Sequence, residues 1–115
     1  MIVKSSKEYE ELRSKGVSVF VFTVDWVEGS KRLYESLLRG LSNINCKVFE
    51  VDVSLTPSIM EMEGVTNIPT VIAYIDGKEV IRQEGSTGNS YVDMDHVRRA
   101  LKESMKKRGI PLREV

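Results

Sequence analysis

Apolar and polar positions follow two different periods along the chain, and the switches between them mark out its elements. Val17-Ser18-Val19-Phe20-Val21-Phe22-Thr23-Val24 is an almost unbroken run of β-branched and aromatic residues, the pattern of a strand buried on both faces of a sheet. Before it, Ser5-Ser6-Lys7-Glu8 has the capping-box form. A serine hydroxyl takes the Glu8 amide and the Glu8 carboxylate reaches back to the serine amide, which predicts a short helix to about Lys15, ended at Gly16. From about Gly29 to Arg39 the period becomes helical: Leu33, Leu37, Leu38 and then Leu41 form one stripe, with Lys31, Arg32, Glu35 and Arg39 left for solvent. Lys47 to Val53 reads as a second strand, and Pro57 to Glu63 as a short helix with Ile59, Met60 and Met62 as its apolar contacts and Gly64 at its end. Thr70–Ile75 and Glu79–Glu84 flank Asp76-Gly77, a pair that tolerates positive φ and therefore predicts a hairpin of two antiparallel strands. Gly85 to Tyr91 is a Gly/Ser/Thr/Asn loop, after which Asp93 or Asp95 caps a last helix that turns Val97, Ala100, Leu101 and Met105 inward and stops at Gly109 and Pro111.

The order helix, strand, helix, strand, helix, hairpin, helix implies an α/β sandwich with a mixed sheet and a right-handed crossover. With 115 residues, the chain is one domain spanning positions 1–115, able to bury a core without disulfides or a structural metal, with a loose tail from about Ile110. Seventeen basic residues balance seventeen acidic ones, so no whole-chain field selects nucleic acid or a membrane surface. The first residues lack the long apolar stretch of a signal peptide or spanning helix. A single cysteine, Cys46, excludes an intramolecular disulfide and suits a reducing compartment. Cytoplasm is the expected location, with no membrane partner.

These landmarks together resemble the thioredoxin family. The matched pieces are the apolar strand 17–24, Asp25-Trp26 entering a helix with Lys31, Val51-Asp52 ending the next strand, Ile68-Pro69-Thr70, the Asp76-Gly77 hairpin and Gly85. The resemblance implies a thioredoxin-like sandwich, a mixed central sheet of four to five strands flanked by about four helices. It also implies a cis proline at Pro69 facing the redox helix. Yet family sequences have Trp-Cys-Gly-Pro-Cys where this chain has Trp26-Val27-Glu28-Gly29-Ser30, and a buried acid where this chain has Val21. Thiol–disulfide exchange needs a thiolate to attack sulfur and a second thiol to resolve the mixed disulfide, and neither Val27 nor Ser30 supplies one. Asp25 and Glu28 place carboxylates at the helix start, where a thiolate would otherwise be favoured. No catalytic residue is therefore assigned.

What the resemblance leaves is a groove. Trp26, Val27, Ile68, Pro69, Gly85 and Ser86 are expected to converge where family members pair with an extended peptide, with Glu28 and Ser30 tuning its polarity. The leading expectation is a noncatalytic protein- or peptide-binding module without a cofactor; the competing reading of the same residues is that Trp26 only covers the core and Pro69 only sets a turn. An enzyme alternative uses Ser30 to handle glutathione, or Cys46 as a single redox thiol, against a helix-start serine satisfying an amide and a small buried hydrophobe. A third alternative is a ribonucleoprotein component. Gly85-Ser86-Thr87-Gly88-Asn89 followed by a charged helix and basic tail is similar to the small thioredoxin-like protein of the spliceosome. Lys106, Lys107 and Arg108 are then the candidate phosphate contacts, although basic residues in a last turn also complement the helix dipole. One histidine, His96, builds no zinc site and reads as a solvated helix residue.

Overall fold

The computed structural model describes residues 1–113. Its elements are α1 (Ser6–Arg13), β1 (Val17–Thr23), α2 (Glu28–Gly40), β2 (Lys47–Asp52), α3 (Pro57–Met62), β3 (Thr70–Ile75), β4 (Lys78–Glu84) and α4 (Ser90–Lys107). The strands form a four-stranded mixed sheet of order β2-β1-β3-β4, in which β1 runs parallel to β2 and antiparallel to β3, and β3 antiparallel to β4.

The unbroken apolar run of β1 follows from this position. Every β1 residue is buried, and alternate side chains enter opposite layers. Val17, Val19 and Val21 pack with Leu33, Leu37 and Leu41 of the α2 stripe and with Val97, Leu101 and Met105 of α4. Phe20 and Phe22 pack with Tyr9 of α1, Phe49 of β2 and Ile59 of α3. Two helices thus cover each face, and the central strand has no polar face to show. Between β3 and β4, Asp76 (φ 47°) and Gly77 (φ 84°) both take the left-handed conformation that the tight hairpin needs. The Asp76 carboxylate accepts from the Gly16 amide at 2.7 Å, which ties the hairpin to the start of β1.

Several local expectations are corrected. α1 stops at Arg13, two residues before Lys15, and although Ser5 Oγ accepts from the Glu8 amide at 3.1 Å, the Glu8 carboxylate takes the amide of Lys4 at 2.9 Å, not that of the serine. The cap of α4 is Asn89, whose Oδ1 accepts from the amides of Tyr91 and Val92. Asp93 lies inside the helix and is buried. Lys31 is half-buried among carboxylates rather than left to solvent. The chain after α4 docks where a loose end was expected: Ile110 and Leu112 pack against the core, and the Leu112 carbonyl accepts from the Asn45 amide at 2.6 Å. Positions 114 and 115 lie outside the described residues. No helix among the described residues is long and apolar enough to cross a membrane.

Candidate functional site

The register of the sheet brings three sequence-distant segments to one end. Phe22 of β1 lies opposite Thr70 of β3, and Thr70 opposite Glu84 of β4. The loop after β1 (Trp26, Val27), the segment before β3 (Ile68, Pro69) and the loop after β4 (Gly85, Ser86) therefore emerge together. The Ile68–Pro69 peptide bond is cis, and the Pro69 carbonyl accepts from the Gly85 amide at 2.8 Å. Pro69 is buried, while Ile68 is half-buried against the α1/α3 core. Among the described residues, neither the amide nor the carbonyl of Ile68 is taken by a hydrogen bond, which leaves a backbone donor and acceptor beside the proline.

Trp26 is 78% exposed, so it does not cover the core. Two further large apolar side chains stand out from the same end, Leu55 after β2 and Tyr91 at the start of α4. Sequence reading missed both, because a leucine or tyrosine beside a loop carries no signal of exposure until the neighbouring elements are placed. Glu28 is exposed and pairs with Arg32 at 2.9 Å. Glu28, Gly29, Arg32 and Ser86 line a small polar hollow of about 290 Å³ between the start of α2 and the loop after β4.

Ser30 is placed differently from the expectation. It is fully buried, its Oγ accepts from the Val24 amide at 3.1 Å, and its hydroxyl lies 2.6 Å from the Val27 carbonyl. The side chain closes the turn between β1 and α2 and offers nothing to a ligand. Val27, at the head of α2, has no side chain able to cap it. Beneath this turn the Lys31 ammonium binds Glu50 and lies 3.1 Å from Asp52 and 3.5 Å from Asp25, while Thr23 Oγ1 donates to Glu50 at 2.6 Å. Burial alone would lower the lysine, but the bonds to Glu50 and Asp52 outweigh it and hold Lys31 above its ordinary range. Burial alone would raise Asp52, but hydrogen bonds from Ser54 and Lys31 hold it below the usual carboxylate range.

The loop after β4 is fixed from within. The Asp93 carboxylate accepts from the Ser86 hydroxyl at 2.5 Å and the Thr87 amide at 3.1 Å, and Gly85 and Gly88 sit at positive φ. Cys46 is far from all of this. It precedes β2, at the opposite end of the parallel pair, a strand length or roughly 20 Å from the start of α2. Burial pushes its thiol up to about 11, so it is protonated at neutral pH. At the end of α4, Lys107 pairs with Glu103 at 3.2 Å and the Arg108 guanidinium donates to the Ser104 carbonyl at 3.3 Å. Lys106 and His96 are exposed.

No family model matches the chain. A Dictyostelium discoideum protein that carries a thioredoxin name is 32% identical over 103 residues, covering 85% of this chain and 94% of its own. A Chlamydia trachomatis thioredoxin is 30% identical over 86 residues, covering 72% and 82% respectively. The crystal structure of thioredoxin from Trypanosoma brucei brucei superposes with a TM-score of 0.78 over 92% of this chain and 90% of that one, at 20% identity, a likeness of fold alone. The four-stranded sheet, the helices paired on its two faces and these relatives lead to one conclusion: the chain belongs to the thioredoxin family.

Proposed function

We propose that this chain is a noncatalytic thioredoxin-family domain that binds an extended protein or peptide segment at the end of the sheet formed by Trp26, Val27, Ile68, Pro69, Gly85 and Ser86. The observation that carries the reading is the fate of the two thiol positions. Val27 has no ionisable group, and the Ser30 hydroxyl is consumed by the Val24 and Val27 backbone, so neither step of a dithiol exchange has a nucleophile here. The recognition surface beside them stays open. The unpaired amide and carbonyl of Ile68 can form a short ladder with an extended backbone, and exposed Trp26 supplies apolar contact.

The test pairs a chemical and a binding assay. Reduction of insulin by dithiothreitol is expected to run no faster with the protein than without it. Partners captured from nuclease-treated lysate are expected to be lost with Trp26→Ala, whose exposure spares the fold, and with Ile68→Asp. Catalysed insulin reduction, or partners that both folded variants retain, would overturn the reading.

A further inference from the structure

We propose that the end of the sheet opposite Trp26 holds a second binding site, for a small amphipathic organic anion such as a medium-chain carboxylate. Between the second half of α1 and the loop joining α2 to β2 lies a cavity of about 860 Å³, within the size range of small-molecule sites. Leu12, Val17, Ile44 and Phe49 give it apolar walls. Its charged groups are three cations, Lys15, Lys47 and Arg113, against the one carboxylate of Glu11. Among the described residues neither Lys15 nor Lys47 has an acidic partner within ion-pair distance, so both ammonium groups are available to an anion. A second observation is independent of charge. Ser18, among the residues lining the cavity, is 2% exposed, and its hydroxyl has no hydrogen-bond partner among the described residues. Buried hydroxyls are rarely left so. Ser18 and Lys47 are register partners on neighbouring parallel strands, so their side chains project to the same face of the sheet. An anionic head between the two lysines meets the charge, and a short apolar tail meets Leu12, Ile44 and Phe49. The site owes nothing to the groove at Trp26.

The chain contains one cysteine and one tryptophan, and they report on opposite ends. Cys46 lines the cavity, so its alkylation by N-ethylmaleimide, a neutral reagent, measures occupancy there; Trp26 emission measures occupancy at the groove. Decanoate below its micellar range is expected to slow Cys46 alkylation saturably and leave Trp26 emission unchanged. Decyltrimethylammonium should give no protection. In the doubly charge-reversed variant Lys15→Glu/Lys47→Glu, both positions exposed, decanoate should protect about tenfold less well. Equal protection by the cationic amphiphile, protection undiminished in that variant, no protection at millimolar decanoate, or faster alkylation signalling unfolding would each overturn the proposal. A change in Trp26 emission without protection of Cys46 would place the ligand at the groove and overturn it too.

Discussion

Replacing Lys31 with methionine keeps most of the side-chain stem and removes the cation that Glu50, Asp52 and Asp25 share. The side chains of Glu50 and Asp52 are 12% and 7% exposed, and that of Lys31 is 31% exposed. Breaking a fully buried pair costs about 3–5 kcal/mol, and an exposed pair contributes about 0–1 kcal/mol. With two nearly buried acids and a lysine still partly in water, the expected loss is about 2 kcal/mol near neutral pH. Its pH dependence follows from the shifts. Lys31 is held above its ordinary range, so its contribution is complete below the unfolded lysine value of about 10.4 and fades as pH rises through the folded value. Asp52 is held below its ordinary range, so its contribution is complete above the unfolded value of about 3.9 and is lost as pH falls through the folded one. Urea unfolding of wild type and Lys31→Met at pH 7 and pH 3 reads the size of the loss and its acid limb. At an m-value of about 1.5 kcal/mol/M the midpoint should fall by roughly 1.3 M at pH 7, and by less at pH 3. Equal losses at the two pH values would locate the effect in the packing of the lysine stem. No loss at pH 7 would mean that the cluster behaves as an ordinary surface pair. Either result refutes the electrostatic account.

Three further outcomes are expected. A Cβ at Gly40 would lie 2.3 Å from Met94 Sδ, so Gly40→Val should lower stability by about 1–3 kcal/mol through overpacking, and a double-mutant cycle with Met94→Ala should recover part of that loss. Asp93→Ala releases the Ser86 hydroxyl and the Thr87 amide; the loss should be about 1–3 kcal/mol, and exchange of the Thr87 amide should accelerate while that of Val71 stays slow. For Cys46, whose thiol stands at about 11, the maleimide rate should climb about tenfold per pH unit from 7 to 10 without levelling. A plateau by pH 9 would mark an ordinary exposed thiol.

Local pattern alone determined a good deal. The unbroken run 17–24 required a strand covered on both faces, Asp76-Gly77 required a tight hairpin, and the leucine stripe of 33, 37, 38 and 41 required a helix laid on the sheet, although Leu38 is exposed and only the other three enter the core; each depends on neighbours a few residues away, and that is what a sequence displays. The missing thiols were equally plain, since chemistry that needs sulfur at two positions can be excluded by reading them. The tertiary structure decided everything that depends on which side chains meet. Lys31 was read as solvated because its partners lie 19 and 21 residues along the chain, and only the parallel pairing of β1 with β2 brings them beneath α2. A helix-start serine that satisfies a backbone amide was one expectation for Ser30, and tuning the groove was another; only the first fits, because the preceding turn buries the hydroxyl against the Val24 amide. Asp93 resembled a cap because an acid in the first turn has the same sequence signature whether it caps its own helix or reaches sideways to hold Ser86 and Thr87. The cavity between α1 and the α2–β2 loop, with the unpartnered Ser18 hydroxyl beside it, has no local signature at all. It forms where elements distant in sequence fail to fill the space between them, and that space is set by the packing of the whole domain.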